Sequence, residues 1–419
     1  MNMVFNKNIC RLSVAFLAVL VLLSSLSGCK VFDEIIESQT DTTEQSTTVK
    51  ETAPTNNTGK TLYGFDNITD ESVKIFYGMI DEYADRAEEE FFTVDRELSL
   101  RQLCEGISAY KEDHPEVFWL NNNCIFYYNS GNTCVSLKFL MDYETRVNAK
   151  SEIDKRINEI VSNAPSGATQ FELELYAHDY IIDNCEYDYD WASSQASDDN
   201  TGNVYGALIE GKAVCEGYSR AFQLICKKLG LECVNIFGVS DEEYHMWNCI
   251  MIDGQWYQVD VTWDDADGEQ KDIASYMFFN LNDDNMYMDH QVSGMYENIS
   301  DEEFEDSLSN ANLFVPQCTA NEYNYHLYYG ALITDIENSD DIVSAIAQAA
   351  KDGRDIFYLT ADSSLDYDDL SSKLIEGGYI ADWINSANIK NFYSPNLNAE
   401  TEVYCVNQYN LFILKLQYI

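Results

Sequence analysis

Residues 213–230, AVCEGYSRAFQLICKKLG, and residues 244–265, YHMWNCIMIDGQWYQVDVTWDD, decide how this chain folds. In the first stretch Tyr218, Ala221, Phe222, Ile225 and Leu229 recur at helical spacing. Lys227 and Lys228 fall in the last turn and Gly230 ends the helix. Cys215 stands at its entrance, where the positive end of the helix dipole favours a thiolate over a thiol. Glu216 opposes that field, so a base or an ion-pair partner has to complete the activation. Gly217 leaves room for a substrate or a neighbouring strand to approach closely.

The second stretch supplies the partner. Residues 244–252 and 255–263 read as two strands joined by Asp253-Gly254, the strongest short hairpin signal. A two-residue turn sets Ile252 opposite Gln255, hence Trp247 opposite Asp260 and His245 opposite Thr262. His245 and Asp260 then share one sheet face as diagonal neighbours, their Cβ atoms roughly 6–8 Å apart. A slip of one residue would separate them to opposite faces. Cys215, His245 and Asp260 are thus a nucleophile, its general base and the orienter of that base. The backbone N–H of Cys215 is the candidate oxyanion donor, and Trp191 is a candidate for a second. Trp191, Gly217 and Trp247 are the candidate substrate-cleft residues. His178 is a rival base, although its apolar helical stripe (Phe171, Leu175, Ile182) fits a hydrogen-bonded core histidine as well.

Ala213-Val214-Cys215-Glu216-Gly217-Tyr218, His245-Met246-Trp247-Asn248 and Gly254-Gln255-Trp256-Tyr257-Gln258-Val259-Asp260 together resemble the transglutaminase-like superfamily. His178-Asp179-Tyr180 and Tyr187-Asp188 resemble its preceding helix and loop, so the likeness runs over about residues 171–265. It implies an α+β papain-like core, in which the helix bearing Cys215 packs on an antiparallel sheet carrying His245 and Asp260. It also implies acyl transfer at amide bonds, whether peptide hydrolysis, deamidation or transamidation. Met246 stands where the family usually has a small residue, which would narrow the cleft.

Residues 1–28 read as a lipoprotein signal peptide, with Lys7 and Arg11 before an apolar run at 12–26. Leu26-Ser27-Gly28-Cys29 resembles a bacterial lipobox, which implies cleavage before Cys29 and a lipid on its thiol. Residues 29–61 are a flexible Thr/Ser/Glu-rich linker. Residues 62–163 form an N-terminal helical and hairpin region, starting with Val73, Phe76, Tyr77 and Ile80 at helical spacing and carrying a hairpin around residues 130–132. Residues 164–310 make the transglutaminase-like catalytic domain. Residues 311–419 form a smaller C-terminal α/β module, in which Ser339 caps a helix (Ile342, Ala345, Ile346, Ala349), Gly353 closes it, and strands follow at 356–360 and 411–419.

With 72 Asp and Glu against 25 Lys and Arg, the formal charge of −47 excludes binding of nucleic acid through a basic surface. It favours amine-rich or basic partners. The twelve cysteines contain no CxxC pair, and no histidine pair has metal-ligand spacing, so neither a metal nor another cofactor is expected. The acidic run 264–269 misses the EF-hand register and reads as a solvated loop. The chain therefore reads as a lipid-anchored thiol enzyme on the extracytoplasmic side of a cell membrane, acting on extracellular peptides or proteins and touching the membrane only through its anchor. The competing readings are a catalytically silent binding or adhesion lipoprotein on the same fold, and a glycan amidase using the same three residues.

Overall fold

A computed structural model describes residues 56, 61–86, 89–194, 200–266, 271–296, 311–390 and 396–419. The expected signal peptide, Cys29 and nearly all of the linker lie outside the described residues. Among the described residues, no helix is long and apolar enough to cross a membrane.

The N-terminal region begins with the short helix Tyr63–Asn67 and continues with the helix Glu71–Ala84, whose Val73, Phe76, Tyr77 and Ile80 all face inward. The helix Leu100–Asp113 starts on a capping box made by Ser99 and Gln102. Beside them, β1 (Phe92–Val94), β2 (Leu120–Asn129) and β3 (Asn132–Phe139) form a small antiparallel sheet in the order β1-β3-β2. Ser130 and Gly131 both take positive φ, the backbone that a two-residue turn between twisted strands requires. Long helices at Tyr143–Asn163 and Gln170–Asn184 lead to a two-residue parallel pair, β4 (Glu186–Tyr187) with β5 (Lys212–Ala213).

The helix Cys215–Leu229 follows at once and ends on Gly230 at φ +87°. Then comes the central antiparallel sheet: β6 (Glu232–Ser240), β7 (Glu243–Ile252), β8 (Gln255–Val259) and β9 (His290–Val292), in the order β8-β7-β6-β9. The β7–β8 register is the one that Asp253-Gly254 dictates, with Ile252 opposite Gln255 and Asn248 opposite Val259. Both turn residues have positive φ, at 50° and 80°. One expectation is corrected here, because the second strand stops at Val259 rather than running to 263. Asp260 turns its carboxylate back onto the N–H groups of Thr262 and Trp263 and so caps a short helix, Val261–Asp264. A capping bond outweighs the β propensity of Val261, Thr262 and Trp263.

The central sheet is covered on both faces. Ile250, Ile252, Tyr257 and Val259 join the core built by the Cys215 helix and the N-terminal helices. On the opposite face Val234, Ile236, Trp247 and Cys249 pack against Tyr358, Leu411 and Ile413. The latter belong to a second sheet of β10 (Gly330–Ile333), β11 (Ile356–Ala361), β12 (Glu402–Val406) and β13 (Leu411–Lys415), ordered β10-β11-β13-β12. Its far face carries Phe357, Leu359, Phe412 and Leu414 against the helices Asp340–Lys351 and Tyr379–Lys390. Period-2 alternation lets each strand serve both layers. The helix at 340–351 keeps Ile342, Ile346 and Ala349 buried and Gly353 at positive φ, but the Ser339 side chain makes no capping bond.

Candidate active site

Three local devices fix Cys215. Ala213 pairs with Tyr187, and the Asp188 N–H donates to Ala213 O at 2.9 Å. The Val214 N–H donates to Thr201 O at 3.0 Å. Ser219, one turn into the helix, donates its hydroxyl to Met246 O at 2.9 Å and accepts from Asn248 Nδ2 through its carbonyl. The helix start is thereby pinned to β7 beside His245. Cys215 is the first helical residue, so its N–H has no acceptor within the helix. Glu216, whose charge works against a thiolate, pairs with Arg220 at 2.8 Å. Burial raises its carboxyl, but Arg220 and Lys111 outweigh burial and bring it below its ordinary value.

His245 Nε2–H donates to Asp260 Oδ2 at 2.6 Å. Burial penalises the His245 imidazolium, yet the Asp260 charge and hydrogen bond, joined by a hydrogen bond to Cys215, raise its pKa to about 10. Cys215 and Asp260 therefore both act on one imidazole. Asp260 is fully buried. Its Oδ1 accepts from Thr262 N at 3.0 Å and Trp263 N at 3.1 Å, and its Oδ2 accepts from His245 and, at 3.1 Å, from His290 Nε2. Burial works against the carboxylate, but the two imidazoles hold it far below the usual carboxylate range. Tyr187 lies close to the thiol, and burial together with the Cys215 and Glu243 charges pushes its phenol up.

The expected cleft residues fare differently. Trp247 is fully buried, stacked beside His245 at 6.1 Å with its indole N–H on Gln258 Oε1 at 2.6 Å. It backs the imidazole and walls no cleft, because Val234, Ile236 and Cys249 and the strands of the C-terminal sheet enclose it. Gly238 makes this possible, since a Cβ there would stand 2.4 Å from the indole. Gly217 admits no substrate, because a Cβ at that position would meet Thr201 O at 2.5 Å. The close approach it permits is that of the chain itself. Trp191 is half-buried, its backbone N–H held by Asp188 Oδ1 at 3.0 Å. His178 is fully buried between Asp179 and Asp264, each at 3.1 Å, and its ring stacks on Tyr276. Burial disfavours its charge, but the two carboxylates raise it to about 9. Asp264, placed by the sequence in a solvated loop, is fully buried and accepts from Phe278 N, and burial raises its carboxyl to about 7.

His290 is the residue that sequence reasoning missed. It follows Asp260 by 30 positions, and only the pairing of Ser240 with His290 between β6 and β9 brings it to the site. His245, Asp260 and His290 also present three ligand-type atoms within 4.8 Å of one another. Because a carboxylate only accepts, both Nε2 atoms carry hydrogen where they bond Asp260.

A thiol on a helix N-terminus, with an imidazole and a carboxylate on the sheet beneath it, defines an α+β core of the transglutaminase and papain type. Residues 155–261, which include Cys215, His245 and Asp260, match the family model of the transglutaminase-like superfamily, and this part of the chain is a transglutaminase-like domain. Kyphoscoliosis peptidase of Homo sapiens is 27% identical over 133 residues, and that of Mus musculus is 26% identical over 131. The matches take in 29% and 28% of this chain but only 19% of either relative. Among solved structures, a TGase is 16% identical over 43% of this chain and 56% of its own, with a TM-score of 0.24. A proposed cysteine protease from Cytophaga hutchinsonii is 16% identical over 33% and 61%, with a TM-score of 0.22. Overlaps that small carry no argument, and the assignment rests on the family match and the site.

Proposed function

We propose that the protein is a thiol enzyme that transfers acyl groups from amide bonds of peptides or proteins through a thioester on Cys215. The observation that carries this is the single imidazole of His245, hydrogen-bonded to Asp260 at 2.6 Å and raised in basicity by Asp260 together with Cys215 at the helix N-terminus. Cys215 Sγ attacks the amide carbonyl, and the Cys215 N–H steadies the oxyanion. His245, cationic beside the thiolate, returns a proton to the leaving amine. Water or a second amine then resolves the thioester, giving hydrolysis or deamidation in the one case and transamidation in the other. The likeness to two peptidases supports the hydrolytic outcome over a fifth of their length.

The site of action is proposed from the sequence: a lipid on Cys29 tethers the enzyme to a membrane, facing outward, with 29–61 as the stalk. Incorporation of labelled palmitate that disappears in Cys29→Ser tests the anchor separately.

The test of the chemistry is alkylation by iodoacetamide from pH 5 to 8, read by peptide mass mapping. Rapid labelling of Cys215 at pH 6, slowed in His245→Ala, is expected. Slow labelling spread over several cysteines and indifferent to that substitution overturns the reading and leaves a binding lipoprotein.

A further inference from the structure

We infer that His290 is a positioning residue for the Cys215–His245–Asp260 array, and that Asp289 with Tyr409 and Gln408 holds it, which makes the C-terminal sheet part of the site. The inference rests on the acyl-transfer reading above and concerns residues outside the matched segment 155–261.

His290 Nε2 faces Asp260 Oδ2 at 3.1 Å and its Nδ1 faces Asp289 Oδ1 at 2.6 Å. Carboxylates offer no hydrogen, so both ring nitrogens donate and His290 is an imidazolium. It is 2% exposed and boxed by the rings of Trp263 at 4.8 Å, Trp247 at 5.0 Å and Phe278 at 5.5 Å. Aromatic faces suit a cation and exclude water. Asp289 is anchored in turn. Ser240 donates to its carbonyl at 3.0 Å, and its Oδ2 accepts from Gln408 Nε2 at 3.1 Å and from the Tyr409 hydroxyl. Gln408 and Tyr409 belong to the turn Asn407–Tyr409 between β12 and β13.

From Cys215 to Asp289 a nucleophile, an imidazole, a carboxyl group, an imidazole and a carboxyl group stand in a row. His290 does two things in that row. Its N–H is the fourth donor on Asp260 and stops the carboxylate from swivelling away from His245. Its charge takes up part of Asp260's, so that His245 is held as a cation without being locked as one, and can give its proton to a departing amine. The two rings stand 5.5 Å apart, within the range where like charges lower each other's proton affinity. The other ionisable groups around the row are few. Cys215, Glu243 and Asp260 bear on Tyr187, Asp260 bears on Asp264, and Asp289, Asp264 and Asp241 bear on Tyr409.

The experiment follows Cys215 alkylation by iodoacetamide in the full chain from pH 4 to 11, with His290→Gln, Asp289→Asn and Tyr409→Phe beside the parent. Gln at 290 keeps an N–H for Asp260 and loses the charge. Removing a cation raises every neighbouring proton affinity, so both inflections of the profile move to higher pH by about one unit. Asp289→Asn removes the second counter-charge that keeps His290 protonated, so the imidazole sheds its proton, the row loses its cation and the inflections move the same way; a shift to lower pH instead means that His290 stays charged and overturns the role given to Asp289. Asp289→Asn is nearly isosteric, and decides the matter if His290→Gln does not fold. Tyr409→Phe gives a smaller shift of the same sign. Superimposable profiles for His290→Gln and Asp289→Asn overturn the inference and leave acyl transfer standing. An unmoved Tyr409→Phe overturns the part assigned to residues 407–409. A parent whose Cys215 does not label at pH 6 overturns the acyl-transfer reading itself, and this inference with it.

Discussion

Asp260→Asn isolates the electrostatics of the site with little change of shape. Burial disfavours the His245 imidazolium, and against that penalty the Asp260 charge does most to lift its pKa from the ordinary 6.5 to about 10. That elevation corresponds to a net preference for the imidazolium on the order of 5 kcal/mol, to which Asp260 and Cys215 contribute against the burial penalty. Asparagine keeps an acceptor oxygen for Thr262 and Trp263 but carries no charge. With burial opposed only by Cys215, His245 drops towards its ordinary value and no longer holds a proton strongly enough to serve as the counter-ion of a thiolate. The thiolate–imidazolium pair is then lost, and alkylation of Cys215 at pH 6 is expected to slow by about a hundredfold or more. Because the chain has only five histidines, ring-selective 13C labelling can follow the His245 titration directly while mass mapping follows the thiol. Labelling of Asp260→Asn at pH 6 within threefold of the parent, or a His245 midpoint that stays above 9, would refute the argument.

Gly238→Ala drives a methyl group to within 2.3 Å of Gln291 O and 2.4 Å of the Trp247 ring, so a loss of about 2–3 kcal/mol in denaturant unfolding is expected, along with slower Cys215 labelling. His178 has a folded pKa of about 9 against 6.5 unfolded, so its stabilisation is complete below pH 6.5 and is lost as the pH rises through 9; thermal unfolding scanned from pH 6 to 10 should show a falling midpoint that flattens in His178→Gln. Cys249 and Cys318 sulfurs lie 3.8 Å apart in the buried layer between the sheets, so diamide should remove two thiols together, close a loop of about 70 residues, and raise stability by about 4 kcal/mol. Cys318→Ser should abolish both effects.

Much of this could be read along the chain, and most of what could not depends on partners far away in it. The Asp253-Gly254 turn is a local signal, and from it the β7–β8 register and the common face of His245 and Asp260 follow without any tertiary knowledge. The Cys215 helix is likewise written in its own spacing. The end of β8 was not legible, since Val261-Thr262-Trp263 has strand-like composition and only the capping bond from Asp260 overrides it. Trp247 sits in the same short motif as His245, and nothing local says that its face would be roofed by strands drawn from residues 356–361 and 411–415. His290 and Tyr409 depend on pairings across 50 and about 120 residues, and no periodicity encodes those. Asp264 looked solvated because acidic runs usually are, and its buried partner His178 lies 86 positions upstream.

The double covering of the central sheet has a practical side for anyone dividing the gene. A fragment ending near residue 310 would retain Cys215, His245 and Asp260 and would look complete by motif. It would also strip Tyr358, Leu411 and Ile413 from Val234, Ile236, Trp247 and Cys249, turning the interior of the sheet into a sticky outer wall. Such a fragment is a recipe for inclusion bodies, and inactivity measured on it would report solubility and not chemistry. The smallest piece worth expressing runs from the first helix to the last strand.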